Sequence, residues 1–405
     1  MVRTEQVKLP AGVCFLLGRV AEGIGDPAAS LPGEMASRFC RPSDLVPADW
    51  DALPGLIRHH RLELQIDAWL NSCSASLPDA MSLSQHRGLK AVRRRAVLRT
   101  MRLVDETARL ARRFAEEGVE MLVLKGAALS VQLYSTPLRR SSRDIDLLVR
   151  PQDEARARAI LAGCGYGTSA DAVFPCLNAV ELRHADHDDM AVELHVRLAD
   201  DDRLLPTRTL RPFETAAVVE IAGQPVRTLE PNAALAYAAY HGAHHHWFRL
   251  HWLADIAAAA RSPRFDWDAA AAIAARTGTR RHLFLAARLS ADLLGCPPSG
   301  LPGPVGRDLA AVRRSETVVR RILANPPAKD AETVRQVGRL RILSAELALC
   351  QRPGAVWAQL LSRLRPTDTD RAAFPLPPAL GSLHYPLRIL RMAWVMWRLA
   401  RHRPG

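Results

Sequence analysis

Apolar and polar positions recur at two different periods along this 405-residue chain, and the switches between them outline its organisation. Residues 1–45 carry Gly and Pro at short intervals and read as irregular. From Pro47 to Ser72 the apolar positions Leu53, Leu56, Ile57, Leu64, Trp69 and Leu70 fall at helical spacing. A second helix is expected through residues 89–118, closed by Gly118 as a glycine C-cap. The period then changes. "VEMLVL" (119–124) is an apolar run of strand length between Gly118 and Gly126, "AALSVQLY" returns to helix, and "DIDLLV" (144–149) is the next strand. "PQDEARARAILAGCGY" reads as a helix opened by Pro151 and closed by glycines. "AVELRHADHDDMAVELHVRL" reads as two strands around a polar, solvated turn at 185–189, and "VVEIAGQPVRTL" as another hairpin. After Pro231 the chain is helical and alanine-rich to about residue 295. A Pro/Gly segment at 297–306 marks a boundary before further helices. The class is α+β: a small mixed sheet set among helices.

Composition narrows the partners more than the fold. Lys plus Arg exceed Asp plus Glu by 13, which favours anionic partners such as nucleotides, nucleic acid or an anionic membrane face. Nearly all of that charge is arginine; only Lys8, Lys90, Lys125 and Lys329 are lysines, which makes a lysine kept at 125 more informative. The seven cysteines (14, 40, 73, 164, 176, 296 and 350) are scattered without a C-x-x-C pair and read as buried thiols in a reducing compartment. The N-terminal stretch has no small-residue cleavage site, and no run approaches the roughly 20 apolar residues a spanning helix needs. The expected location is cytoplasmic.

The chemistry gathers around "LKGAALSVQLYSTPLRRSSRDIDLLV" (124–149). Alternate strand residues share a face, so Asp144 and Asp146 project together while Ile145 and Leu147 point the other way. Two carboxylates this close repel one another and favour a cation between them; Mg2+, or Mn2+, suits such ligands. In "AVELHVRL", Glu193 and His195 share one face of a strand. If the two strands are neighbours, Asp144, Asp146 and Glu193 form an acidic triad able to hold divalent ions for in-line displacement at phosphorus. Lys125 and Gly126 stand where a strand passes to a helix, a place where backbone can approach phosphate. Arg139, Arg140 and Arg143 add charge able to neutralise a triphosphate. Neither G-x-G-x-x-G nor a Walker-type loop is present.

This order of Leu124-Lys125-Gly126, Tyr134, Arg139 with Arg143, Asp144-Ile145-Asp146 and Glu193-Leu194-His195, followed by "HGAHHHWFRLHWLAD" (241–255), resembles a bacterial family of uncharacterised nucleotidyltransferases within the polymerase beta-like superfamily. The resemblance spans roughly residues 46–300. It departs from the wider superfamily in a longer spacer before Asp144 and in Ala127, where a serine is usual. Along the whole chain the expected organisation is an N-terminal irregular and helical region (1–95), a nucleotidyltransferase core (96–230), a His-rich helical domain (231–300) and a C-terminal helical region (301–405) with a basic amphipathic tail. The resemblance implies metal-dependent transfer from a nucleoside triphosphate, with Tyr134, His195, His241, His244, His245, Arg249 and Asp255 as substrate contacts.

Three readings of the histidine segment remain: a metal site, a lid of substrate contacts, or structural histidines anchored by Trp247 and Trp252. For the whole chain, the alternatives to nucleotidyl transfer are glycosyl transfer from a nucleotide sugar on the same metal site, or non-catalytic binding of nucleotide or RNA. The acceptor is a peptide, a small molecule or RNA. The segment 384–403, wound as a helix, sets Arg388, Arg391, Arg398 and Arg401 apart from Ile389, Met392, Met396, Trp397 and Leu399. It docks on its own domain, makes a peripheral membrane contact or binds a partner as a helix.

Overall fold

The computed structural model describes residues 9–23, 37–72, 81–168, 179–301, 303–325, 337–364, 366 and 368–401. Before the sheet come helices α1 (Ala11–Gly23), α2 (Pro47–His60), α3 (Asp67–Ser72) and α4 (Leu83–Glu116). The sheet region contains β1 (Met121–Val123), α5 (Gly126–Tyr134), β2 (Ile145–Val149), α6 (Glu154–Gly163), β3 (Tyr166–Thr168), β4 (Ala179–His184), β5 (Ala191–His195), α7 (Thr207–Leu210), β6 (Ala217–Ile221) and β7 (Gln224–Thr228). Helices then follow as α8 (Pro231–His244), α9 (Leu250–Arg261), α10 (Trp267–Thr277), α11 (Arg280–Leu294), α12 (Gly306–Ala324), α13 (Arg339–Leu349), α14 (Pro353–Leu364), α15 (Asp368–Ala373) and α16 (His384–Arg401).

The strands form one mixed sheet in the order β3-β4-β5-β2-β1-β7-β6. β2 pairs antiparallel with β1 and parallel with β5, in a register that sets Asp146 beside Glu193 and Leu148 beside His195. Alternation along β2 divides the core. Ile145, Leu147 and Val149 join one apolar cluster with Leu110 and Phe114 of α4. Leu148 joins the other, with Leu122, Leu124 and the apolar residues of α8 and α9. Asp146 therefore emerges on the sheet face that α8 and α9 cover. That larger cluster draws buried residues from Val13 to Ala358, on both sides of residues 95, 230 and 300.

Three readings of the chain are corrected. Residues 1–45 are not irregular throughout: α1 buries Val13, Phe15, Leu16 and Val20. Its glycines are contact points, since a Cβ on Gly12 would lie 2.8 Å from Leu56 and one on Gly18 2.8 Å from Phe39. The helical spacing at 47–72 is interrupted at Arg61, whose φ of 55° ends α2 and turns Leu62–Ile66 inward before α3. The histidine segment is likewise two helices. His246 and Trp247 both adopt φ 53°, and the fully buried Trp247 ring lies 2.5 Å from where a Cβ on Gly242 would be. The chain thus folds back under its own helix before α9 begins.

α4 opens on a Ser82–Gln85 capping box, worth about 1 kcal/mol, and Gly118 follows its end at φ 66°. In α16, Arg388 and Arg391 both bond Asp370 of α15, while Leu390 and Trp394 are exposed. The side chains expected at Met392, Met396, Trp397, Arg398, Leu399 and Arg401, and residues 402–403, lie outside the described residues. Among the described residues, no helix is long and apolar enough to cross a membrane, and the five cysteines are free thiols.

Candidate functional site

A cavity of about 230 Å³ opens where the ends of β1, β2 and β5 meet α8, α9 and the turn after α2. Its floor is Asp144, Asp146 and Glu193; its walls include Lys125, Arg61, Arg140, His241, His245, Arg249 and His251. Parallel pairing of β2 with β5 places the Asp146 and Glu193 side chains next to one another on one face. Ligand atoms of Asp146, Glu193 and His195 all lie within 4.8 Å of one another. Asp144, one residue before β2, lines the same cavity but stands outside that group of three. Asp144, Asp146 and Glu193 thus line one cavity, and His195 joins Asp146 and Glu193 in the tight cluster, because Leu148 and His195 continue the same face that Asp146 and Glu193 begin.

Lys125 reaches into this cluster. Its Nζ donates to Asp146 Oδ1 at 2.8 Å and stands 3.5 Å from His241 Nε2. His195 Nε2 is 3.4 Å from the same Asp146 oxygen and 3.4 Å from Glu193 Oε2. Burial alone would push the Asp146 carboxyl up, but Lys125 and His195 hold it far below the usual carboxylate range. Burial opposes charge on Lys125, yet the surrounding groups, Asp146 foremost, outweigh it and raise its pKa. Burial likewise disfavours a charged His195, and its bonds to Asp146 and Glu193 reverse the balance upward. Asp144 is raised, first by burial and then by repulsion from Asp146, with Arg61 opposing.

The basic residues divide into two sets. Arg140 is buried and bonds Asp255 at 2.9 Å, so two expected ligand contacts are each other's partner at the cavity wall. Burial raises the Asp255 carboxyl against the pull of Arg140. Arg139 turns away: its guanidinium donates to the Gly23 carbonyl at 2.7 Å and lies over Tyr134, tying α5 to the end of α1. Tyr134, with its hydroxyl buried and its pKa raised by burial and then by Asp255, also lies outside the cavity lining. Arg143 donates to the Arg58 carbonyl at 3.1 Å and faces a neighbouring cleft.

The histidines separate as well. His241 and His245 line the cavity, His245 stacked on Trp252 at 5.2 Å. His244 faces a different cavity on the far side of α8, beside Tyr240 and His282. Among the described residues, these three histidines form no metal-binding group. Burial, and then neighbouring cations, push the pKa of both His241 and His251 well below the usual histidine range.

Arg61 is the contributor that sequence reasoning missed. It sits in the left-handed turn after α2, its Nε buried with no hydrogen-bond partner among the described residues. The signal available was "RHHRLE", a cluster of cations where the apolar helical pattern stops. Among the described residues, His251 Nδ1 on the cavity lining and Asp255 Oδ1, on the residue that holds Arg140, are similarly buried without hydrogen-bond partners. Polar atoms left unpaired at a polar cavity call for a polar ligand.

The mixed sheet thus sets carboxylates at the floor of an arginine- and lysine-walled cavity. The chain belongs to the family described as uncharacterised nucleotidyltransferases, which matches residues 47–295, more than half of its length. Among solved structures, an antigenic nucleotidyltransferase-like protein from Paracoccidioides brasiliensis is similar at 18% identity and a TM-score of 0.30, covering 48% of this chain and 93% of that one. No curated protein matches.

Proposed function

We propose that the cavity carries out magnesium-dependent nucleotidyl transfer from a nucleoside triphosphate to an acceptor hydroxyl. The observation behind this reading is the side-by-side pairing of Asp146 and Glu193 under a wall of Lys125, Arg61 and Arg140. The donor set fits the cation: two carboxylates with an adjacent imidazole suit Mg2+ or Mn2+. Asp146 and Glu193 would hold it, and bound magnesium would supply charge neutralisation to the phosphate oxygens. Lys125 and Arg61 face the donor's phosphates, and Arg140, fixed by Asp255, sets the back wall. The acceptor oxygen forms a bond to the α-phosphorus, the bridging bond to the β-phosphate breaks, and pyrophosphate leaves. The acceptor's proton passes to Glu193, whose side chain is 37% exposed. Positioning and preorganised charge lower the barrier.

The test is pyrophosphate release and mass shift on a candidate acceptor, with nucleoside triphosphate and Mg2+, comparing wild type with Asp146→Asn and Glu193→Gln. A shift by one nucleoside monophosphate, lost in both variants, supports the reading. Equal turnover in the variants refutes the site, and a hexose-sized shift from a nucleotide sugar refutes the donor.

A further inference from the structure

Beside the catalytic cavity lies a second, larger cleft of about 450 Å³. Arg58 and His59 at the end of α2 form one wall, Arg95 and Arg99 of α4 the other. Arg143 and Arg249 close the inner end, and Arg249 lines both cavities, so the two spaces adjoin. Arg143 braces the junction through its bond to the Arg58 carbonyl and follows Ser142 one residue before Asp144. Arg58, Arg95 and Arg99 make no ion pair with any described carboxylate, and the acid lining the cleft, Glu63, is buried. The cationic surface continues beyond the cleft. Between residues 83 and 104 the chain has seven Lys or Arg residues and no Asp or Glu, with Arg87, Lys90 and Arg94 exposed on the same helix. From Arg87 to Arg99 that stripe is about 18 Å long at 1.5 Å per residue, far longer than one phosphate group.

We propose that this cleft binds a single-stranded polynucleotide and leads its end into the catalytic cavity. Three arginines in one groove without a described carboxylate partner, Arg58, Arg95 and Arg99, suit a chain of phosphodiesters, whose binding releases counterions at each contact. The cleft's volume admits nucleotide units in single file, and its concave walls do not match a flat bilayer surface. The His59 ring lines the cleft, with Phe248 packed behind it at 6.0 Å, and supplies a planar face of the kind that sequence-tolerant strand binding uses. Strand binding stands on the cleft alone; the strand's role as acceptor rests on the nucleotidyl-transfer reading above.

The test is fluorescence anisotropy with a labelled single-stranded RNA 12-mer and the full chain, without nucleotide, across a salt series. Saturable binding is expected, with a log–log salt slope of about 2 for three phosphate contacts. Arg95→Glu/Arg99→Glu should weaken it at least tenfold and flatten the slope. The control Arg307→Glu/Arg313→Glu, on exposed positions of α12 and with the same change in net charge, should shift it less than twofold. Absent binding, equal losses in both double variants, or equal displacement by an acidic peptide of matched charge would each overturn the assignment. Donor binding, followed separately with a fluorescent nucleotide, should be unchanged in the cleft variants. If the strand binds but no nucleotide is transferred to it or to any other acceptor, the transfer reading fails and the cleft assignment stands. If transfer proceeds on another acceptor and the strand does not bind, the cleft assignment fails alone.

Discussion

Lys125→Met isolates the interaction that holds the candidate site together. The Lys125 and Asp146 side chains are 12% and 3% exposed and meet at 2.8 Å. Removing one partner of a buried ion pair costs about 3–5 kcal/mol, because the other charge stays buried without compensation. His195 remains 3.4 Å from the same carboxylate oxygen, which puts the expected loss near the lower end, about 3 kcal/mol at pH 7. The sign with pH follows from the two folded states. In the wild type the Asp146 pKa is depressed, so its contribution is present above the unfolded value of about 3.9 and is lost as pH falls below that. In the variant, burial acts with less opposition and the folded pKa rises. The penalty is then full at neutral pH and shrinks as Asp146 takes up a proton on acidification. Urea unfolding in metal-free buffer from pH 4.5 to 8 should show the two proteins converging at the acid end. Millimolar Mg2+ should narrow the gap at pH 7 by supplying the missing positive charge. A loss below about 1 kcal/mol that is flat with pH and indifferent to Mg2+ would refute the assigned role of Lys125.

Mg2+ titration by calorimetry should show Asp146→Asn weakening binding at least a hundredfold and His195→Gln about tenfold, since a neighbour that orients a ligand typically matters by about 10–100-fold. Arg140→Met and Asp255→Leu should each cost about 3 kcal/mol in chemical unfolding, and the double variant clearly less than their sum, because it leaves no lone buried charge. Arg139→Ala should cost about 1 kcal/mol of stability through its bond to Gly23 and leave fluorescent-nucleotide affinity unchanged. Arg61→Ala should weaken that affinity about tenfold, as loss of a charge-assisted contact does.

Alternation made the centre of the site legible. The period-2 pattern in "DIDLLV" and "AVELH" was enough to put Asp146 and Glu193 on like faces, and the parallel register brings them together. What alternation cannot convey is which strand residue borders which: His195 enters the cluster through the register of β5 against β2. Arginine is harder to read, because its long side chain can turn either way from one backbone position. Arg139 and Arg140 are adjacent in sequence, yet one ties α1 to α5 and the other backs the cavity. The break at 246–247 was hidden because two non-glycine residues in left-handed conformation are rare, and a buried Trp247 against Gly242 maintains them. α1 was missed for the opposite reason: its glycines resemble breakers but receive neighbouring side chains.

The order of strands in the sheet has a consequence in time. β1 and β2 pair across a short stretch of chain, but β2 must wait for β5, and β1 for β7, whose partner Thr228 lies 105 residues beyond Val123. The cavity further needs Arg61 at one end and His251 at the other. Contacts so distant along the chain close late, after the helices have formed locally. During refolding, the far-ultraviolet helical signal should therefore return before the Mg2+ binding proposed for the cavity.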